Sequence, residues 1–200
     1  YSRENYLNGR YTGGTTKLDI GTGEEAYPTS LPSKIPLLGK LFKASEVAYE
    51  AGAMRLRMDI ADIQYKLAEK AGVNLKDKEQ LGSINELVNS MTGRGNIGKG
   101  KDKGKFINRA FFSIRNLKSN IDTLTLNQFR LSNFATKQAA IQVLSTATAL
   151  GVTLAIAKAL DPDSTDLDPR GSLFGKIKIG KDVKIDITAG MASIVTLAAR

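Results

Sequence analysis

The sequence has no cysteine and no histidine. The first absence excludes disulfides, thiolate metal sites and thiol nucleophiles, and leaves no mark of redox compartment. The second excludes imidazole as acid, base or metal ligand. Proline is scarce, with five residues in 200, and three of them (Pro28, Pro32, Pro36) fall in the first 36 positions. Acidic residues are the minority charge, 20 against 29 lysines and arginines, for a net charge of +9.

What is present is an ordinary apolar content of 42 %, enough for one folded domain or a domain plus an arm. The chain opens at Tyr1 and stops at Arg200, just after the apolar run Ile194-Val195-Thr196-Leu197-Ala198-Ala199. A helix seldom stops there without a cap, so we expect the sequence to be a piece of a longer protein. The positive charge is uneven. Arg94, Lys99, Lys101, Lys103, Lys105, Arg109, Arg115 and Lys118 face one acid, Asp102, in that window, which alone carries +7. Such a cluster suits a polyanionic partner, nucleic acid, an acidic protein surface or anionic lipid, and equally suits a solvated loop.

Residues 1–36 hold Gly9, Gly13, Gly14, Gly21 and Gly23 besides the three prolines, which predicts an extended arm ordered by a partner surface. Thr15 to Ile20 reads as a short strand within it. Residues 37–160 read as a helical domain. One long helix, about 50 Å, is predicted over 39–71. Leu41, Ala44, Ala48, Ala51, Met54, Met58, Ala61, Tyr65 and Ala68 form its stripe, widened by Val47, Leu56, Ile60, Ile63 and Leu67. Gly72 is its stop. A second helix over 77–92 carries Ile84, Leu87, Val88 and Met91, with Ser83 and Glu86 at capping-box spacing and Gly93 as its end. A third is predicted over 106–118, on Phe106, Ala110, Phe111, Ile114 and Leu117.

Residues 132–160 form the most apolar stretch, started by Ser132 or Asn133 and stopped by Asp161-Pro162. From Gln138 to Ala157 lie 20 uncharged residues, the length that spans a bilayer. Ala147, Gly151 and Ala155 give the small-xxx-small series of close helix contacts in lipid. Gln138, Gln142, Ser145, Thr146, Thr148 and Thr153 dilute the apolarity, so a buried central helix is the preferred expectation and a membrane segment the alternative. Residues 161–200 read as an acidic turn, a hairpin over 174–187 with Gly180-Lys181-Asp182 as its turn, and a last helix capped by Thr188. The expected fold is thus mainly α: a helical bundle with one long N-terminal helix, a central apolar helix and a small C-terminal β-hairpin.

Catalytic and ligand motifs fail on context. Gly93-Arg94-Gly95-Asn96-Ile97-Gly98 matches G-x-G-x-x-G, but it follows a predicted helix and runs into more glycines. Read as a phosphate loop ending in Lys99, it has Gly100 where a magnesium-binding hydroxyl belongs. Gly21-Thr22-Gly23-Glu24-Glu25-Ala26 is stopped by Tyr27-Pro28 before any helix. Asp161, Asp163 and Thr165 open like a calcium loop, but its sixth position is Asp166 and its twelfth Ser172. No carboxylate pair or Ser–Lys dyad stands out. We therefore expect no cofactor, no metal and no enzyme activity in this chain.

Several ordered elements carry a family resemblance. They are Lys43-Ala44-Ser45-Glu46-Val47-Ala48-Tyr49, Arg55-Leu56-Arg57 with Asp59 and Asp62, and Glu86-Leu87-Val88-Asn89 before Thr92-Gly93-Arg94-Gly95. Phe111-Phe112-Ser113 with Arg115, Ser119-Asn120-Ile121-Asp122, and Arg130 to Lys137-Gln138-Ala139 follow. Asp168-Pro169-Arg170, Phe174-Gly175-Lys176-Ile177-Lys178-Ile179-Gly180 and Gly190-Met191 close the series. In this order, over roughly residues 35–200, they resemble the C-terminal module of the large polyvalent, internal virion (ejection) proteins of tailed bacteriophages. Gly171 and Leu173 depart from that pattern, in a turn where the family has Ser and then Asp or Ala. The resemblance implies a module packaged in the phage head and delivered to the host cell with the genome, any enzyme activity lying in other modules. On that basis we expect a non-catalytic structural module near the portal. Its partners would be portal or ejection proteins in an oligomeric assembly, and its eight basic residues would meet genomic DNA or an acidic surface. The alternative is a membrane-active segment forming part of a delivery conduit in the host envelope.

Overall fold

A computed structural model of the chain describes residues 2–20, 38–94, 122, 131–180, 183–188 and 190–200. Among them are five helices and one hairpin: α1 (Arg3–Leu7), α2 (Leu38–Lys70), α3 (Lys78–Met91), α4 (Asn133–Leu160), β1 (Lys176–Ile179), β2 (Val183–Asp186) and α5 (Met191–Ala199). The protein is mainly helical with a long apolar helix and a C-terminal two-stranded antiparallel sheet. The predicted third helix over 106–118 and the hairpin turn residues 181–182 lie outside the described residues. The chain divides into two compact units, Tyr1–Lys137 and Gln138–Arg200. This division falls inside α4, whose first turn packs Phe134 on the core of the first unit.

In the first unit α2 and α3 pack through stripes that the sequence spacing foretells. Met58, Ala61, Tyr65 and Ala68, at steps of three and four, meet Leu81, Ile84 and Val88 of α3 in one buried cluster. The small alanines of α2 keep the two backbones close. Both helices stop at glycines in the left-handed region, Gly72 (φ +76°) and Gly93 (φ +77°). At each the next residue bonds back five residues, Val73 N–H to Ala68 C=O at 2.9 Å and Arg94 N–H to Asn89 C=O at 2.8 Å. The glycines supply the paired inner bonds, so both ends are Schellman caps that satisfy the last carbonyls. The N-cap of α3 is Asp77, whose carboxylate accepts the Glu79 N–H at 2.8 Å, and Ser83 lies inside the helix. The capping-box reading of Ser83 is therefore corrected: an acid one residue ahead of the helix takes the orphan N–H groups.

The predicted extended arm is corrected over its described part. Residues 2–20 lie on their own chain, with Tyr11 and Leu18 in the core. Ser2 caps a short helix, accepting from Asn5 N–H at 3.3 Å. Asp62 of α2 then accepts the Ser2 N–H (2.7 Å), the Asn5 side-chain amide (2.8 Å) and the Tyr11 hydroxyl. Asn85 of α3 accepts the Tyr65 hydroxyl and donates to the carbonyls of Arg10 (3.2 Å) and Gly13 (3.1 Å). Asn89 accepts the Asp19 N–H at 2.8 Å and donates to the Lys17 carbonyl at 2.9 Å. A carboxamide thus does for residues 17–19 what a neighbouring strand would do, which is why Thr15 to Ile20 is not a strand. The glycines that looked like looseness permit contact: Gly14 (φ +87°) lies against Gly82 of α3. The tyrosine rings sit 6.1 Å apart. Burial, then the bond to Asp62, pushes the Tyr11 phenol above its ordinary range, and burial beside Tyr11 and Asp62 does the same for Tyr65.

In the second unit α4 leads into a turn whose acids hold backbone groups. Asp161 accepts Asp163 N–H at 3.0 Å, and Asp166 accepts Asp168 N–H at 2.9 Å. Arg170 grips Asp168 with Nε and Nη2, both at 3.1 Å, and holds that exposed carboxyl below its usual range. Ser164 ties the turn to α4 through the Ala157 carbonyl (2.9 Å), and its own carbonyl accepts Lys178 N–H (2.7 Å). The hairpin pairs Lys176 with Asp186, Ile177 with Ile185, Lys178 with Lys184 and Ile179 with Val183. The last helix begins at Met191, later than predicted, with Gly190 at its cap position, yet the Thr188 hydroxyl still accepts the Ala192 N–H at 2.9 Å. Gly175 (φ +67°) lets Thr188 and Ala192 close over the strand start.

Gly82 offers a direct check on how closely residues 13–16 lie on α3. A Cβ there would sit 2.0 Å from Thr15 Oγ1 and 2.8 Å from its backbone nitrogen. Gly82→Ala gains helix propensity, about 1 kcal/mol, but must displace backbone, at about 1–3 kcal/mol. We expect a net loss of stability in urea denaturation and faster proteolysis within residues 9–20. A more stable variant would contradict the close approach.

Candidate functional site

Among the described residues no group of three or more acidic side chains converges as a metal site. In the 161–168 turn Asp161 and Asp166 accept backbone N–H groups and Asp168 is paired with Arg170. One open cavity of about 600 Å³ lies between the N-terminal segment and the start of α3, lined by Asn8, Arg10, Glu69, Asn74, Lys76 and Lys78 among others. Its single acid, Glu69, is matched by Arg10 Nη2 at 2.5 Å.

Of the eight basic residues singled out in the sequence, Arg94 is described, and Lys99, Lys101, Lys103, Lys105, Arg109, Arg115 and Lys118 lie outside the described residues. Arg94 is 6 % exposed, and its Nη1 donates to Asp19 Oδ1 at 3.1 Å. It sits immediately after Gly93, where its N–H closes the cap of α3 and its side chain turns back onto the N-terminal segment. Arg94 is thus paired within its own chain, with the half-buried Asp19. The signal was present in the sequence, since a residue just beyond a C-terminal glycine is drawn back onto the helix end. Arg57 is the basic residue the sequence reading passed over. It is fully buried in α2 and donates from Nε to Thr92 Oγ1 at 2.9 Å and from Nη2 to the Thr92 carbonyl at 3.4 Å, placing a cation at the C-terminus of α3.

The outstanding feature is α4. It was expected as a buried central helix, and that expectation is corrected. Only 11 % of its most apolar 18-residue window is buried. From Leu144 to Ala149 six successive residues are exposed, more than a full turn, so no face is covered there. Leu144 is 69 % exposed and Leu160 84 %. Apolar residues surround the axis instead of forming one stripe. Added bulk at Gly151 would meet nothing within 4 Å, and Ala147 and Ala155 are likewise exposed. The Thr153 hydroxyl donates to the Ala149 carbonyl at 2.8 Å, which hides its polarity inside the helix. By length and composition α4 is able to cross a membrane. The composition favoured burial because six polar side chains interrupt the run, and the rule that weighs them counts residues without asking whether the chain has enough other surface to cover a helix this long.

No family model matches this chain, and no curated protein or solved structure shows significant similarity to it.

The placement of Arg94 makes a specific prediction. Arg94→Gln leaves Asp19 half-enclosed without its cation, at about 2–4 kcal/mol. Thermal or urea unfolding should show that loss, and Asp19→Asn combined with Arg94→Gln should lose less than the sum of the two single variants. Strict additivity would mean the pair is not coupled.

Proposed function

We propose that this chain is a non-catalytic structural module of a bacteriophage internal virion or ejection protein, packaged near the portal, and that α4 is the segment it places in the host envelope during genome delivery. The observation that carries the membrane part is the exposure of α4: a helix apolar on all sides, 20 residues without charge, with 11 % of its most apolar window buried. In water each exposed Leu, Ile or Val on it forgoes about 1.5–3 kcal/mol of burial. A bilayer supplies that burial, since 20 helical residues cover about 30 Å, the thickness of the hydrocarbon core. Lys137 and Lys158 stand at the two ends of the uncharged span, where long cationic side chains reach the headgroups. Ala147, Gly151 and Ala155 give neighbouring copies a face for close approach within the lipid. The virion part is supported by the ordered residue series from Lys43 to Met191 that resembles the phage modules. In the same reading the basic segment from Lys99 to Lys118 meets genomic DNA or an acidic virion partner, through phosphate or carboxylate contacts that weaken with salt.

Two measurements test the two parts. The chain should float with phosphatidylcholine vesicles in about 0.5 M salt, where surface charge attraction is screened, at neutral or mildly acidic pH. Leu144→Lys, at a site exposed in water, should keep the fold but sink, since a mid-helix lysine costs about 3 kcal/mol in the bilayer. Wild-type protein that stays at the bottom of the gradient, or a variant that floats equally well, refutes membrane entry. For the virion part, peptides of this chain should be abundant in full phage particles and depleted after triggered genome release. Their absence from particles would refute it.

A further inference from the structure

A second apolar row runs along α2 beside the stripe that forms the core, and it has a regular period. Tyr49, Ala53, Leu56, Ile60, Ile63 and Leu67 follow one another at steps of four, three, four, three and four. At 100° per residue they form one seam distinct from the stripe of Met58, Ala61, Tyr65 and Ala68. That alternation is the heptad pattern of a helix packed on another helix. Yet Tyr49 is 55 %, Leu56 59 %, Ile63 56 % and Leu67 37 % exposed. Within this row Ile60 also packs against the unit's own cluster, while Leu56, Ile63 and Leu67 present their apolar surface to solvent.

The residues flanking the seam identify what covers it. On one side lie Arg57 and Gln64, both buried within the unit, so this flank is closed. On the other side lie Asp59 and Lys66, seven residues apart in one row, with Asp59 46 % exposed and Lys66 exposed. A second copy packed parallel would set the open flank of one helix against the closed flank of the other, with Asp59 facing Gln64. A second copy packed antiparallel sets open flank against open flank. Ile60 of one copy then meets Ile63 of the other, Leu56 meets Leu67, and Asp59 meets Lys66, each contact occurring twice by the two-fold symmetry. Arg55 Nε, 3.0 Å from both Asp59 oxygens, orients that carboxylate from within its own helix. We propose that α2 is a self-association surface and that the first unit pairs with a second copy of this chain through an antiparallel α2–α2 seam. This inference does not rest on membrane entry by α4 or on the virion reading.

The test is a charge exchange in the full chain, carried on a Leu144→Lys background so that α4 does not contribute association of its own. Sedimentation equilibrium of that protein should give dimers. Asp59→Lys places lysines opposite Lys66, and Lys66→Asp places acids opposite Asp59. Each should weaken dimerisation about tenfold or more, with helix content by circular dichroism unchanged. The combined Asp59→Lys, Lys66→Asp chain restores opposite signs across an antiparallel seam and should recover the dimer. A monomeric parent, single variants that dimerise normally, or a combined variant no better than the single ones would each overturn the proposal.

Discussion

The first unit depends on one arrangement: polar side chains of two helices that hold an irregular segment by its backbone and by its Asn5 and Tyr11 side chains. Asp62 takes three donors from residues 2–11, and Asn85 and Asn89 take the exposed backbone groups of residues 10–19. A segment with no ladder of its own must satisfy each N–H and C=O it buries or lose about 1–3 kcal/mol per group. The two asparagines do this because a carboxamide presents a donor and an acceptor side by side, as a peptide does. They sit four residues apart on α3, so successive turns of one helix reach successive stretches of the segment. The apolar contacts of Tyr11 and Leu18 follow from this registration, and so does the ion pair of Arg94 with Asp19, since Asn89 fixes the Asp19 backbone.

Sequence periodicity disclosed the elements whose information is local. The stripe Met58, Ala61, Tyr65, Ala68 and its counterpart on α3 read directly, as did the stops at Gly72 and Gly93, the alternating hairpin and the bounds of α4. Local rules failed where the deciding contact lay far along the chain. Gly13 and Gly14 signalled looseness, but they allow the segment to lie against Gly82, some 70 residues away. The side-chain bonds of Asn85, Asn89 and Asp62 reach residues 20 or more positions away, many of them at backbone atoms, and such partners carry no local sequence signature. Arg57 was passed over for the same reason: its acceptors are a threonine hydroxyl and a carbonyl at the end of another helix. Of the basic cluster, sequence reading grouped residues by sign and proximity, whereas the structure assigns Arg94 to the interior because an acid 75 positions earlier is brought to it.

Burial was the least legible property, and the reason is physical. A pattern specifies which residues prefer to leave water but not what they leave it for. The upper half of α2 shows this, since Ala44, Ala48 and Ala51 continue the buried stripe in sequence yet are exposed in the structure. The same holds for α4, where an apolar run predicted a place at the centre of a bundle and the described chain supplies little to cover it.

The two uncovered apolar surfaces differ in a way that assigns them to different surroundings. On α2 the apolar residues form a narrow seam bordered by Asp59 and Lys66, and the stripe beside it is already committed to the core. Charges at that distance from the seam would be costly in lipid but fit the edge of a protein–protein contact, where they remain hydrated and select orientation. On α4 there is no border, because apolar residues encircle the axis and no charge occurs across 20 positions. A protein partner would have to surround such a helix to cover it, whereas a bilayer does so by its nature, and the back-bonded Thr153 hydroxyl adds no unmet polarity. A seam with charged edges asks for one neighbour in a fixed orientation. A helix apolar on all sides asks for a solvent.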